Sequence, residues 1–423
     1  MLVSCAEIKE AEISSVPETL IEEEIPEEPP MSKIYIDTET GYDVRSKEEY
    51  ILTDFKLINE NGKEITETEV KIRGRGNQSW KVPKKSYRLK FPEKVALISD
   101  DDYENKDWVL IASHADKSFL RNHIAFALGS ALNGIEWSPR SDLVEVYLNG
   151  EYRGVYLLTE QIEVASGRVD ITEGDESAGY LLELDSYAEG VMFSDYFSIG
   201  KRKYTIKSDI TSASHGKKIA DHVTEAYNTV RSGTYEEISE CIDLASAVDM
   251  YLLCEYMVNW DTGWSSFYMY AKESGGKIYF GPPWDFDLSS GNTFSAIDPT
   301  GLYVGKIYEE EVTTSIHNVW FSSLIRYDWF KELVRERWNE VKYTISATVD
   351  SCCIYAYDNI EVIERNFELW DVLGERINQE PSAVLKLSSC KENVDYLNSW
   401  LDERYEWLDI YYNSEAFLKE EVE

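Results

Sequence analysis

Asn259-Trp260-Asp261 and, further on, Gly281-Pro282-Pro283-Trp284-Asp285-Phe286-Asp287 are the two segments that decide how this sequence is interpreted. The first closes an apolar helical pattern, and the second follows a strand-like stretch at residues 277–280. Asp285 and Asp287 alternate with their neighbours in an extended segment, so their side chains point the same way. Two adjacent carboxylates repel each other unless a cation lies between them, and such hard oxygen ligands suit Mg²⁺. The second segment therefore predicts a metal site.

Asp261 is the candidate catalytic acid/base because of its place in this order of parts. An acid after a helix, a Ser/Asn-type position soon afterwards, a strand and then Asp-Phe-Asp is the order found in protein kinases. There the first acid orients the attacking hydroxyl, and the second holds magnesium on the phosphates. The strict H-R-D and D-F-G signatures are absent from this sequence. A helix-end aspartate paired with a lysine is the alternative interpretation.

The composition indicates a large folded protein that avoids anionic partners. The 423 residues are 43% hydrophobic, enough to bury a large core in two lobes or domains. The formal net charge is −37, and such a field repels phosphate backbones and anionic lipid. We therefore expect no nucleic-acid partner and no binding to a membrane surface. The charge would suit a basic substrate, although acidic surfaces also serve solubility alone.

The first 32 residues have the form of a lipoprotein start followed by a tether. Leu2-Val3-Ser4-Cys5 matches a bacterial lipid-processing site, and residues 17–30 are acidic, Pro-rich and without periodicity. The basic and apolar regions of a signal peptide are missing before this site. We expect Cys5 to be lipidated and the protein to lie at the cell surface, with membrane contact only through that anchor. A chance match in a cytoplasmic protein is the alternative.

The remaining cysteines predict neither a disulfide framework nor a zinc site. They form an odd set with one adjacent pair, and no C-x-x-C or Cys/His spacing occurs. They are Cys241, Cys254, Cys352, Cys353 and Cys390. Buried free thiols are the expectation.

Hydrophobic patterns predict an α+β fold with two lobes that meet at the candidate site. Residues 33–210 form the strand-rich, nucleotide-binding lobe, interrupted by one helix over residues 117–132. Its expected strands include residues 70–72, 87–91, 143–148, 152–158, 180–184 and 203–206. Asn149-Gly150 predicts a tight hairpin, because both residues tolerate positive φ.

Residues 211–423 form the helical lobe that carries the catalytic and metal-binding acids. A capping box at residues 234–237 predicts a helix start, and apolar positions between residues 250 and 258 predict a helix with one buried face. Further helices are expected over residues 328–343, 348–370 and 392–416.

A glycine-containing turn in the first half is a candidate phosphate loop. Gly74 and Gly76 lie in Arg-Gly-Arg-Gly-Asn, and Lys84 and Lys85 begin the strand that follows. Glycines let main-chain N–H groups approach phosphates, and a lysine from the next strand can neutralise them. A plain turn is the alternative. Glu160, at the end of a later strand, could pair with such a lysine, or it could simply cap the sheet.

Several blocks in order resemble the spore-coat protein H (CotH) kinase family, over nearly all of residues 34–409. The matching blocks are RGRGNQSW at 73–80, KKSYRLKF at 84–91, DWVLIASHADKSFLRN at 107–122, VEVYLNGEYRGVYLLTEQI at 144–162, GYLLELD at 179–185, PPWDFDLSSGN at 282–292 and LNSWLDERYEWLD at 397–409. The resemblance implies an atypical kinase-like fold that binds ATP with a divalent metal, Mg²⁺ or Mn²⁺. It also implies phosphorylation of Ser or Thr in a protein substrate.

The resemblance also implies roles for individual residues. The expected roles are phosphate loop for Gly74 and Gly76, phosphate contact for Lys84 or Lys85, partner of that lysine for Glu160, catalytic acid/base for Asp261, metal ligand for Asp285 with Asp287, and a place beside the nucleotide for Trp284. The block from Asp116 to Asn122 is expected to brace the site. Strand alternation alone would turn Trp284 away from the acids and into packing.

Ser266 departs from the family pattern, which often has Asn five residues after the loop aspartate. Serine can offer one oxygen as a second metal ligand, but it is the weaker one. An active protein kinase, a catalytically weak pseudokinase that serves surface binding or assembly, and a carboxylate-pair hydrolase of carbohydrate all remain as hypotheses.

Overall fold

The computed structural model describes residues 31–98, 103–305 and 318–419. Its strands are β1 Ser32–Thr38, β2 Ile51–Ile58, β3 Glu64–Arg75, β4 Ser86–Val95, β5 Asn105–Ile111, β6 Ser141–Leu148, β7 Glu151–Glu160, β8 Ala178–Leu184, β9 Tyr196–Ile199, β10 Arg202–Ile206, β11 Phe267–Glu273 and β12 Ile278–Phe280. Its α-helices are α1 Arg121–Ala131, α2 Ala213–Ser232, α3 Tyr235–Cys241, α4 Leu244–Met257, α5 Val319–Leu324, α6 Asp328–Asp358, α7 Ile360–Leu369, α8 Cys390–Tyr412 and α9 Glu415–Lys419. Cys5 and the tether lie outside these residues.

The strands of the first half close into a barrel in the order β1-β2-β3-β4-β5-β7-β6. Closure comes from the parallel pairing of β1 with β6, in which Ile34 faces Val146. Alternating apolar residues of these strands point inward and form one core, because side chains alternate across a strand. The closed sheet leaves none of these seven strands with an unpaired edge.

The hairpin predicted at Asn149-Gly150 is confirmed and fixes the pairing of β6 with β7. Asn149 and Gly150 have φ of 52° and 77°, the left-handed values that a two-residue hairpin turn requires. Leu148 then pairs with Glu151, and a bulge between Val146 and Tyr147 shifts the register. The local turn chemistry alone was sufficient to predict this element.

A second sheet has the order β12-β11-β8-β10-β9 and lies beside the helices. β8 pairs with both β10 and β11, so this sheet contains strands from both sides of residue 210. The domain boundary predicted there stays a prediction.

The helices begin and end at positions that only partly follow the sequence pattern. The capping box is confirmed, with the Thr234 hydroxyl accepting from the Glu237 N–H. The helix expected from residue 117 begins only at Arg121, because Phe119 has φ of 62° and the Asp116 side chain accepts from the Ser118 N–H. The expected break near residues 344–347 is wrong: α6 continues to Asp358, since that stretch contains neither Pro nor Gly and Ile345 is buried.

The fold class is α+β, strand-rich first and helical later, as the patterns predict. The first half is a closed barrel and not the lobe of a typical kinase, so the kinase-like fold stays a prediction. Across the described residues, none of the helices combines the length and apolar character needed to traverse a bilayer.

Arg404 of α8 forms a buried ion pair with Glu255 of α4. The Arg404 guanidinium donates to the Glu255 carboxylate at 2.6 Å, and both side chains are fully buried. The same guanidinium donates to the Gly301 carbonyl at 2.6 Å, while Glu255 accepts from the Gly305 N–H at 2.6 Å. The pair therefore ties two helices to the loop over residues 299–305.

We expect Glu255→Ala to lower the free energy of unfolding by about 3–5 kcal/mol, because Arg404 would keep a buried charge without a partner. Urea denaturation followed by circular dichroism measures this change. The matched control is Asp221→Ala, which breaks the exposed Lys217–Asp221 pair and should cost less than about 1 kcal/mol. Equal losses in both variants would contradict the expectation.

Candidate active site

A cavity of about 520 Å³ lies where the barrel, the second sheet and the loops around Asp261 and Asp285 meet. The sequence-predicted residues that line it are Gly76, Asp261, Ser266, Trp284, Asp285 and Asp287. Gly74, Lys84, Lys85 and Glu160 are not among its lining residues. The structure thus brings the predicted acids together and separates them from most of the predicted phosphate-binding residues.

Residues 284–292, here called the acid loop, hold Asp285 in a constrained geometry. Asp285 has φ of 68° and Ser266 has φ of 61°, both left-handed values that are uncommon outside glycine. The Ser266 hydroxyl donates to Asp285 Oδ2 at 3.0 Å. The position predicted as a possible second metal ligand is therefore in direct contact with the first. Such strained backbone persists only where the surroundings impose it, and it concentrates at functional sites.

Asp287 is the most electrostatically perturbed acid of the cavity. Burial and the negative charges of Asp285, Asp116 and Asp261 raise its pKa well above the usual value, and its carboxyl group hydrogen-bonds Asp285. In the absence of a cation, burial and this repulsion favour the protonated form of Asp287. A divalent cation would remove this repulsion in the same way.

The two carboxylates fit a Mg²⁺ site that water and phosphate complete better than they fit a site whose ligands all come from the protein. Within residues 31–98, 103–305 and 318–419, no group of three or more His, Cys, Asp or Glu side chains is arranged to hold a metal ion. Mg²⁺ is commonly held by one or two carboxylates, with waters and substrate phosphates completing its octahedron. Asp285 and Asp287 can supply the two carboxylates.

Asp261 follows α4 at a point where the helix ends abruptly. Val258 has φ of 52°, so the chain turns away from the helix axis, and the Trp264 N–H then bonds the Asp261 carbonyl at 2.7 Å. Burial and the charge of Asp285 raise the pKa of Asp261 to about 7. A carboxylate with this pKa can accept a proton near neutral pH, which is the property required of a general base.

Two side chains from outside the acid loop and one at its end hold its backbone in place. The Asn122 side-chain oxygen accepts from the Phe286 N–H at 2.8 Å, and Asn292 donates to the Asp287 carbonyl at 2.7 Å. Arg121 donates to the Ser290 carbonyl at 3.0 Å. Arg121 and Asn122 belong to the block that was expected to brace the site, and these contacts fit that expectation.

Lys84 lies away from the cavity, buried between β7 and α7. Its ammonium group donates to Asn366 Oδ1 at 2.7 Å and lies 4.5 Å from the ring centroid of Tyr156. Burial lowers its pKa well below the usual value, and it makes no ion pair with a residue in the described part of the chain. Its contacts are those of a packing residue. Lys84 does not line the cavity that holds the acids, and its expected phosphate contact stays a prediction.

Glu160 and Lys85 do not form the expected lysine–glutamate pair. Glu160 accepts from Arg140 Nη2 at 2.7 Å and lies 3.7 Å from Arg168 Nε, so arginines balance its charge. Lys85 donates to the Trp80 carbonyl at 2.7 Å and lies over the ring of that residue. The expected pair of Glu160 with Lys84 or Lys85 is therefore wrong. Contacts between residues far apart in the chain decide the partners of Glu160, and the spacing of residues along the chain does not reveal them.

The two predicted loop glycines serve different purposes. A Cβ atom on Gly74 would come within 2.2 Å of the Trp80 ring, so this glycine makes room for packing. Gly76 has φ of 90°, and a Cβ atom there would lie 1.9 Å from the Ser79 hydroxyl. Only Gly76 lines the cavity, where its turn lies near the acid loop.

Arg75 is the cavity residue that the sequence interpretation missed. Its guanidinium lies 5.3 Å from the ring centroid of Trp284, and its charge interacts with that of Asp285. Trp284 is itself buried and stacks on Phe126, with 5.3 Å between the ring centroids. In Arg-Gly-Arg-Gly-Asn only the two glycines match a phosphate-loop pattern, so the pattern assigns no role to Arg75.

The carboxylate pair does not suit hydrolysis of a glycosidic bond. Retaining and inverting glycosidases place their carboxyl groups at least about 5 Å apart. Asp285 and Asp287 lie two residues apart in one loop and their charges act on each other, which suits a shared metal ion better than two carboxyl groups on opposite sides of a glycosidic bond. This pair therefore gives the carbohydrate hypothesis no support.

Comparison with known proteins agrees with the resemblance drawn from the sequence blocks. The model of the family described as CotH kinase protein matches residues 72–408, a stretch that contains the whole cavity except Lys47 and Glu48. No curated protein matches the chain. Because the matched stretch is most of the 423 residues, the chain belongs to the CotH kinase protein family.

Proposed function

We propose that this protein is a metal-dependent protein kinase that transfers the γ-phosphoryl group of ATP to Ser or Thr of a protein. The observation that carries the proposal is the meeting of Asp261, Asp285 and Asp287 at one cavity, beside the Gly76 turn. The family match supports a kinase. The identities of the nucleotide, the metal and the acceptor residue belong to the proposal and do not follow from the family match.

The three acids divide into two roles in this reaction. Asp285 and Asp287 would hold Mg²⁺ or Mn²⁺, which would neutralise charge on the phosphates when bound. Asp261 takes the proton of the Ser or Thr hydroxyl. The hydroxyl oxygen forms a bond to the γ-phosphorus while the bond from that phosphorus to the β,γ-bridging oxygen breaks, and ADP leaves with the electron pair. The proton remains on Asp261 until it passes to solvent.

A weak pseudokinase that serves surface binding or assembly is the second candidate, and Ser266 favours it. Its hydroxyl donates to Asp285 Oδ2, so in this geometry Ser266 engages the first metal ligand and does not act as an independent second one. Anchoring at the cell surface through Cys5 would suit either candidate. Both the anchor and the location are part of the proposal.

Asp285→Asn and Asp261→Asn should separate binding from transfer. A metal ligand acts in the ground state, whereas a catalytic base acts chiefly in the transition state. We expect Asp285→Asn to abolish the rise in melting temperature caused by Mg-ATP, because binding must stabilise the folded state. Asp261→Asn should keep that rise and lose transfer of labelled phosphate to the protein itself or to a generic Ser/Thr substrate.

The control is Asp221→Asn, which removes one negative charge from the exposed surface of α2. It should behave as the wild type in both assays. If Mg-ATP at millimolar concentration does not shift the melting temperature of the wild type, the kinase proposal is wrong. Equal loss of ATP binding in the Asp285 and Asp261 variants would overturn the separate roles.

Asp261 should make the metal-free protein less stable at high pH. An aspartate in an unfolded chain titrates near ~3.9, whereas the pKa of Asp261 in the folded protein is about 7. Between these values the folded protein keeps a proton that the unfolded chain releases, so the unfolding free energy falls as pH rises. We expect Asp261→Asn to match the wild type near pH 4 and to exceed it by about 1–3 kcal/mol at pH 8. Urea denaturation in EDTA measures this, and a difference that is independent of pH would contradict it.

Ser266→Asn should raise activity if the missing amide limits the enzyme. An asparagine tolerates the left-handed backbone at this position and offers a carbonyl oxygen with longer reach. We expect up to about a tenfold gain in transfer rate with Mg²⁺ or Mn²⁺, the effect of one added charge-assisted contact. Ser265→Asn, at the neighbouring cavity position, is the matched control.

The three results of this comparison have separate meanings. A gain in Ser266→Asn alone supports an impaired kinase. Activity as low as that of Asp261→Asn in both the wild type and Ser266→Asn, with ATP still bound, supports the pseudokinase. A fully active wild type that the substitution leaves unchanged shows that position 266 is not a metal position.

A further inference from the structure

Arg75 stands at the end of β3, immediately before the Gly76 turn, on a firm aromatic support. Its guanidinium lies over the Trp284 ring with 5.3 Å to the centroid, and Trp284 stacks on Phe126 at an interplanar angle of 20°. Guanidinium groups stack on aromatic faces and keep their in-plane N–H donors free for other partners. The support therefore fixes the position of the charge without using its hydrogen bonds.

The guanidinium donors of Arg75 are uncommitted within the described part of the chain. No hydrogen bond or ion pair joins them to a residue there, whereas the neighbouring cations of the cavity are engaged. Arg88 pairs with Asp107 at 2.7 Å, and Lys207 pairs with Glu183 at 2.9 Å. Arg75 is thus a cation of the cavity with its full donor fork available to a ligand.

The charges around Arg75 show which ligand chemistry it suits. Asp285 is its strongest electrostatic partner, ahead of Tyr268 and Glu183. Arg75 lines the same cavity as Asp285 and its charge interacts with that of Asp285, so a metal ion bound to Asp285 would repel it. A polyphosphate beside the metal reverses this effect, because its oxygens can bind the guanidinium and the metal together.

We propose that Arg75 makes the site selective for a metal–polyphosphate complex over free metal, by contacting the phosphates and by opposing metal bound alone. The inference rests on the proposed function, since the polyphosphate is that of the nucleotide. It assigns to Arg75 the phosphate contact expected of Lys84 or Lys85. Arginine suits this role because its planar fork matches two phosphate oxygens, which a lysine cannot do.

Two affinities that move in opposite directions test this proposal. Isothermal titration calorimetry is done with the full chain, using MgCl₂ alone, Mg-ATP and Mg-tripolyphosphate. We expect Arg75→Met to weaken Mg-ATP and Mg-tripolyphosphate binding by about 10- to 100-fold, the loss of charge-assisted hydrogen bonds. The affinity for free Mg²⁺ should not fall, and it should rise by a few fold as repulsion is removed. Arg75→Lys should lie between the two proteins.

Two control variants carry the same change of charge. Lys218→Met removes an exposed lysine that pairs with Glu176 on the surface, and should leave all three affinities unchanged. Lys85→Met tests the competing assignment from sequence, and should also leave them unchanged. Melting temperatures of all variants establish that the fold is intact, and Arg75→Lys keeps the stacked charge if the methionine variant is unstable.

Each other result overturns the inference in an identifiable way. If the wild type binds Mg-ATP and Arg75→Met binds it equally well, the inference fails while the proposed function stands. If Arg75→Met loses affinity for free Mg²⁺ as well as for Mg-ATP, Arg75 has only a structural role. If Lys85→Met shows the loss instead, the phosphate contact belongs to Lys85. If the wild type binds neither polyphosphate, the proposed function and the inference both fail.

Discussion

Arg121 carries a buried positive charge in the first turn of α1, where it donates to the Asp116 carboxylate at 2.6 Å and to main-chain carbonyls of the acid loop. A loop that presents two acids to one cavity is pushed apart by their charge, so something outside it must hold its backbone. Arg121 and its neighbour Asn122 do this by bonding carbonyl and N–H groups, which leaves the carboxylates free. These contacts hold the backbone that follows Asp285, at Phe286 and at Ser289 and Ser290.

The acids of the cavity repel one another, and a bound cation would reduce that repulsion. Burial and mutual repulsion raise the pKa of Asp261 and of Asp287, so the metal-free protein keeps protons that free carboxylates would release. Stability is reduced at the place where function is expected, which is a common relation between stability and activity. A divalent cation with its phosphates would replace those protons, and on our proposal Arg75 would contact the phosphates.

The elements that were predicted correctly are those whose cause is local. Asn149-Gly150 requires left-handed backbone, and the Thr234–Glu237 box satisfies N–H groups within one helical turn. The length of α6 was missed because the expected break at residues 344–347 falls where no Pro or Gly terminates the helix. The late start of α1 was missed because Asp116 competes for N–H groups that a helix would otherwise leave open.

The sequence by itself determined the α+β class, the family and the three acids, because short segments carry their own backbone and charge requirements. Only the tertiary structure decided which cations reach those acids. Lys84 is held by Asn366, 282 residues away, and Glu160 is balanced by Arg140 and Arg168. A long basic side chain can reach several partners, and the barrel closure and the packing of α7 select among them. The order of residues along the chain therefore predicted which carboxylates line the cavity. Only the packing of the folded chain showed that Arg75 lines it too.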